Sequence, residues 1–196
     1  MWDKKRAVVN DVAIIDDIII HHSAGSRLNG MVPEKVFELF NGVGFSRLYE
    51  KHGYDFATGY SEKYGQNYHK HDGKISYAGY HYCTYEYGPG EYVTISLIDD
   101  PMWTDAGSTG DRAVNARSIA HVFAGNFEDE NIPESMVEYY IKMFRKAAPL
   151  SWILHKNKYI QIKGHRDVDN TACPGKYLYT YIPRMQREIA EIGRTI

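Results

Sequence analysis

An apolar run rich in isoleucine, from Val12 to His22, stops abruptly at His21-His22-Ser23-Ala24-Gly25. A short apolar run that ends in a polar, glycine-containing turn reads as a buried strand entering a loop. The C-terminal edge of that strand is therefore a candidate site.

The remaining elements can be placed around it. Pro33, followed by Val36, Phe37, Leu39 and Phe40, has helical spacing, with the proline tolerated in a first turn. Residues 42 to 77, rich in Gly, Tyr, Lys and His and without a sustained period, read as a long loop or an insertion. Tyr80 to Tyr87, a Gly88-Pro89-Gly90 turn and Tyr92 to Ile98 form a hairpin pattern. Ser118 to Ala124 is another strand, closed by Gly125. The segment from Pro133 to Ala148 carries Met136, Tyr140, Met143 and Phe144 on one helical stripe, with Asn131 as a cap. A strand near Tyr159 to Ile162 leads to Gly164-His165-Arg166-Asp167, and a final helix runs from Lys176 to Ile192. This order predicts an α/β fold, a single domain over residues 1–196 with a mixed central β-sheet flanked by helices.

Length and charge remove several alternatives. The 196 residues suit one globular domain. Lys and Arg number 23 against 25 Asp and Glu, a formal net charge of -2 with no dominant run of either sign, so no nucleic-acid partner is expected. The longest apolar run, at Ile18 to Ile20, is far below the roughly 20 residues that span a bilayer, and no membrane partner is expected. The apolar N-terminal stretch is broken by Asn10, Asp11, Asp16 and Asp17, unlike a secretory signal, which implies synthesis in the cytoplasm. The chain is expected to act as a monomer. Cys83 and Cys173 could pair only once, so no disulfide framework is expected.

The chemistry lies in residues that close strands. A catalytic zinc takes three protein ligands and leaves a fourth position open, and mixed His and Cys ligands suit it. His21 closes the first strand and His165 the last. Cys173 follows eight positions later in Thr171-Ala172-Cys173-Pro174-Gly175, where proline and glycine would fix a sharp turn that presents the sulfur. Viewed singly, a strand-end histidine reads as a hydrogen-bonded surface residue and a lone cysteine as a small buried apolar group. A rival metal pair is His69 and His71 in His69-Lys70-His71-Asp72, which would point the same way on an extended strand, although the polar segment reads as a loop.

Four stretches, in order along the chain, resemble the family of peptidoglycan amidases that includes small phage lysins and the peptidoglycan recognition proteins. They are Ile18-Ile19-Ile20-His21-His22-Ser23-Ala24-Gly25; Ala78-Gly79-Tyr80-His81-Tyr82; Asn115-Ala116-Arg117-Ser118-Ile119 with Phe123-Ala124-Gly125-Asn126-Phe127; and Gly164-His165-Arg166-Asp167 with Thr171-Ala172-Cys173-Pro174-Gly175. The resemblance implies one zinc ion held by His21, His165 and Cys173, with Tyr80 as the catalytic tyrosine beside it. It implies hydrolysis, by zinc-activated water, of the amide between N-acetylmuramic acid and L-alanine of the peptidoglycan stem peptide. Strand alternation lets only one of His21 and His22 reach a metal, and the family match selects His21. The same alternation puts Tyr80, Tyr82 and Thr84 on one face and His81, Cys83 and Tyr85 on the other, which makes Cys83 a buried thiol. His22, His81 and Asn115 are candidate substrate-binding residues.

Two features depart from the smallest relatives. Thr171 stands where some phage enzymes have a catalytic lysine and where recognition proteins with amidase activity tend to have threonine. Its hydroxyl can donate to an oxyanion but supplies no charge. Lys163 and Arg166 flank His165 and could supply charge, though solvated neighbours is the plainer reading. The 42–77 insertion lies in a region where 11 of the 17 tyrosines fall, between Tyr49 and Tyr92. Tyrosine pairs an apolar face with a polar tip, so the insertion is expected either to wall a substrate groove or simply to pack a loop poor in aliphatics. The competing function is a peptidoglycan-binding module that does not cut, a state relatives reach typically by losing the cysteine ligand, which this chain keeps.

Overall fold

A computed structural model describes residues 8–9, 12–13, 15–36, 39–40, 68–71, 74–77, 79–97, 106–146 and 160–195. The expected strand from Val12 to His22 is two elements. Strand β2 (Val12–Ala13) folds back on β1 (Val8–Val9), while β3 (Asp17–His22) enters the main sheet. The division falls at Asp16, whose backbone joins both neighbouring strands: its amide donates to the Arg117 carbonyl and its carbonyl accepts from Gln161. Its carboxylate also pairs with the Arg117 guanidinium.

Within the 42–77 segment, β4 (Tyr68–His71) and β5 (Lys74–Tyr77) pair as antiparallel strands, so His69-Lys70-His71 is strand rather than the expected loop. Residues 41–67 lie outside the described residues, as do the side chains of His69 and His71.

Strands β6 (Tyr82–Gly88) and β7 (Glu91–Ser96) are the expected hairpin, turning through Pro89 and Gly90, with a register shift between Glu86 and Gly88. Helix α1 (Arg112–Ala116) is capped by the Asp111 carboxylate, which accepts from the amides of Ala113 and Val114. It delivers the chain to β8 (Ser118–Phe123). With β9 (Gln161–Gly164), the central sheet has the order β7-β6-β8-β3-β9. Strands β6, β8, β3 and β9 pair in parallel and β7 pairs antiparallel, which is the mixed sheet the sequence predicts.

Helix α2 (Glu134–Lys146) buries Met136, Val137, Tyr140, Ile141 and Phe144, a stripe at helical spacing. Its first turn closes on the Pro133 carbonyl, which accepts from Met136 and Val137, two residues beyond the Asn131 expected as cap. The expected final helix is divided into α3 (Lys176–Tyr179) and α4 (Ile182–Thr195). Pro183 has no amide hydrogen to donate, so it sits in the first turn of a new helix rather than inside a continuous one. Ile182, Met185, Ile189 and Ile192 of α4 and the α2 stripe bury one face of the sheet, packing on Ile18, Ile20, Ile119, Phe123 and Ile162. Full burial of each such side chain contributes about 1.5–3 kcal/mol before entropy is counted. On the opposite face, Leu28, Val36, Cys83, Tyr85, Leu97 and Val122 form a smaller cluster.

Candidate metal centre

Register decides what meets at the sheet edge. Ile20 lies opposite Gly164 in the parallel pair β3 and β9, so His21 and His165 leave adjacent strands at the same end. The carboxyl ends of parallel strands are where open α/β sheets place their ligands. Ile18 and Ile20 point into the helical layer, so alternation turns His21 to the other face. The two imidazoles lie 4.5 Å apart, and Cys173 Sγ is 3.7 Å from His21 Nδ1. One ligand atom from each of His21, His165 and Cys173 lies within 4.8 Å of the others.

The cysteine is held mainly by backbone. The Arg166 amide donates to the Cys173 carbonyl at 2.9 Å, and the Arg166 guanidinium donates to the Ala172 carbonyl while stacking 4.7 Å from the Tyr179 ring. The Thr171 hydroxyl oxygen accepts from the Cys173 amide at 3.2 Å. Gly175 has φ +87°, and a Cβ there would stand 2.3 Å from the Phe127 carbonyl carbon, so only glycine lets the loop lie against residue 127. Tyr177 donates its amide to Phe127 O, Phe127 donates its own to His22 Nδ1, and Gly125 donates to Ser23 Oγ. Two of the stretches that carry the resemblance are thus bonded to each other, and the turn after the cysteine is bonded to the second of them through Tyr177.

Burial sets the protonation of the centre. His21 is held well below the ordinary histidine value, first by loss of solvent and then by neighbouring His165. His165 is lowered by burial too, against the opposing pull of Asp169. Both histidines are therefore neutral, the form that ligates a metal. Burial pushes the Cys173 thiol up to about 11, although the His22 backbone amide and Arg166 favour its thiolate. A cation would displace that proton, as metals do from coordinating thiols. His21 Nε2 is buried without a hydrogen-bond partner. Two nitrogens and one sulfur so arranged fit one divalent ion, and zinc chemistry suits that set best.

Tyr80 stands beside this group, its ring 5.0 Å from that of His21 and 6.0 Å from Phe40. The predicted parity fails here. Tyr80 packs with Cys83 and Tyr85, while Tyr82 belongs to the helical face. Strand β6 begins only at Tyr82, and His81 breaks the alternation: its Nδ1 accepts from the Ala120 amide at 2.8 Å, inserting a side chain into the ladder. Cys83 is buried as expected, and burial pushes its thiol up.

The other candidates are scattered around the centre. His22 is buried and turned toward the helical layer, accepting from Phe127. His81 and Asn115 are buried as well. Asn115 Oδ1 accepts from the Thr109 amide and hydroxyl and its Nδ2 donates to Thr109 O, so it shapes the 106–111 loop. Lys163 pairs with Asp17 at 2.9 Å, and Arg166 is taken by Ala172 and Tyr179, so neither is a solvated neighbour. Two carboxylates escaped the sequence reading. Asp167 accepts from the Gly164 amide at 2.8 Å and from the Tyr179 hydroxyl at 2.6 Å, and Asp169 lies 3.4 Å from His165 Nε2. The signal available for Asp169 was its place four residues after His165, one of the candidate ligands.

Drosophila peptidoglycan recognition protein SD superposes with a TM-score of 0.58 at 20% identity, over 93% of this chain and 88% of that one. The fold is that of the peptidoglycan recognition proteins. An N-acetylmuramoyl-L-alanine amidase, LysC from Clostridium intestinale, shares this fold with a TM-score of 0.51 at 19% identity, covering 89% and 85%. The Ph2119 endolysin of a Thermus scotoductus bacteriophage does so at 0.50 and 15% identity, covering 92% and 89%. No protein-family model matches the chain, and no curated protein matches it by sequence.

Proposed function

We propose that this chain is a zinc-dependent N-acetylmuramoyl-L-alanine amidase acting on bacterial peptidoglycan. The observation that carries this reading is the convergence of His21, His165 and Cys173 within 4.8 Å, with Tyr80 against His21, at the carboxyl edge of a recognition-protein sheet. The amidase and the endolysin of the same fold support it. Bound zinc supplies Lewis acidity toward an amide carbonyl and lowers the pKa of water to about 7.

The chain's own residues supply the rest. Neutral His21 and His165 offer their ring nitrogens, and Cys173 offers its sulfur once its proton has left. Tyr80 donates its hydroxyl hydrogen to the oxygen that becomes negative when the amide carbonyl is attacked. The Thr171 hydroxyl oxygen is occupied by the Cys173 amide, which leaves its hydrogen to donate toward the same region. The bond broken joins the lactyl carbonyl of N-acetylmuramic acid to the nitrogen of L-alanine, and the peptide leaves as its amine.

Purified protein incubated with peptidoglycan should release stem peptides, and a chelator should stop the release. Zinc bound at one equivalent without release from any wall type would favour the binding module instead. Among the described residues no helix is long and apolar enough to cross a membrane.

A further inference from the structure

Asp169 is the acceptor that the second ligand histidine faces. His165 Nε2 is shielded from water and makes no aligned hydrogen bond, and Asp169 Oδ2 stands 3.4 Å away. That separation is long for a hydrogen bond and closes with a small turn of the ring. The ring has one other nitrogen, Nδ1, which is left for a metal. Asp169 is itself fixed: Oδ2 also accepts from the Gly110 amide at 2.9 Å and Oδ1 from the Asn170 amide at 2.8 Å.

Gly110 belongs to a loop that reaches the other side of the centre. Ala106, four residues earlier, is buried against Ala120 with Tyr80 packed on the pair. Thr109 and Asn115 lock the loop's interior, through bonds of Asn115 Oδ1 to the Thr109 amide and hydroxyl at 3.0 and 2.9 Å. One hydrogen-bonded segment therefore touches Tyr80 at one end and the carboxylate behind His165 at the other.

We infer that Asp169 is a positioning residue that orients His165 for the metal and ties it to the 106–110 loop buttressing Tyr80. This rests on the metal-centre reading above. A ligand histidine that gives its free ring hydrogen to a carboxylate is fixed in tautomer and in ring angle, and loss of such a partner lowers metal affinity about 10–100-fold. Asp169 is exposed at the surface, so its replacement leaves the core untouched.

The test uses the whole chain. Zinc affinity is measured by chelator competition for the parent, Asp169→Ala and Asp169→Asn, and the visible spectrum of the cobalt(II)-loaded forms reports the ligand field. Amide exchange at Gly110 is followed in the same samples. Asp169→Ala should bind zinc about 10-fold more weakly or worse, with a shifted cobalt spectrum and faster exchange at Gly110. Asp169→Asn, whose amide oxygen still accepts, should recover part of the affinity. If both variants keep the parent's affinity and spectrum, the positioning role is wrong while the metal centre stands. A parent that takes up no zinc would overturn the metal reading itself.

Discussion

Replacing Gly175 by alanine tests how the cysteine loop is held. Gly175 is in the left-handed region at φ +87°, and the added methyl would sit 2.3 Å from Phe127 C and 2.5 Å from both Phe127 O and Glu128 N. Those atoms are backbone and cannot rotate away. Ordinary contact begins near 3.4 Å, so the two segments must part by about 1 Å. The backbone at φ +87° and ψ 150° costs alanine about 1–3 kcal/mol, and the overlap adds about 1–3 kcal/mol. The total of about 2–6 kcal/mol lowers the Tm by about 4–24 °C in a chain of this size. Cys173 is two residues away, so zinc affinity should fall as well. Gly90→Ala is the control, because Gly90 has φ +72° with nothing within 4 Å of the new methyl. It bears the left-handed cost alone and should leave zinc binding unchanged. Thermal melts of metal-free protein and chelator competition measure both effects. A Gly175→Ala protein that melts and binds zinc like the Gly90→Ala control would refute the contact argument.

Cys173→Ala should abolish zinc binding at micromolar concentrations while the metal-free protein stays folded, as read by equilibrium dialysis and circular dichroism. Tyr80→Phe should keep the metal and lose about 10²–10³ in kcat on peptidoglycan, the usual effect of losing one oxyanion donor; full activity would remove Tyr80 from the chemistry. His121 is fully buried against Tyr140, and burial lowers its pKa from 6.5 to about 3. As pH falls below 6.5 the unfolded chain takes up a proton that the folded chain refuses, so stability drops by up to about 1.4 kcal/mol per pH unit until pH approaches 3. Between pH 7 and 5 this single group removes about 2 kcal/mol, so urea midpoints of His121→Phe should fall less steeply with acid than those of the parent. Parallel slopes would show that His121 is not the group.

The convergence of His21, His165 and Cys173 was legible because each ends or follows a strand, and strand ends show in the sequence as a switch from apolar run to polar turn. The alternation that lets only one of two adjacent histidines reach a metal is local geometry as well, and β3 is regular through both; the choice of His21 came from the family resemblance. Alternation carried through Tyr80 failed because the imidazole of His81 takes the place of a backbone acceptor for Ala120, a bond to a residue 39 positions away. Lys163 and Arg166 were misread for the same reason. Their partners, Asp17 and the Ala172 carbonyl, become neighbours only when strands pair and a loop turns back. The break between α3 and α4 was readable from Pro183, whose missing amide hydrogen favours a first turn. Asp169 gave no signal beyond its spacing, since its bond to Gly110 joins segments brought together only by the fold.

His21 and Cys173 lie 152 positions apart in the chain, yet their ligand atoms are 3.7 Å from each other. A metal shared by the two would therefore be a clasp between β3 and the loop that leads into α3, and everything between them would become one closed loop. In the chain-entropy limit, closing a loop of that length withdraws on the order of 5 kcal/mol of disorder from the unfolded state, as a disulfide at the same positions would. An ion bound there would then also fasten the fold, and removing it would loosen the molecule from β3 to the start of α3 rather than at one edge.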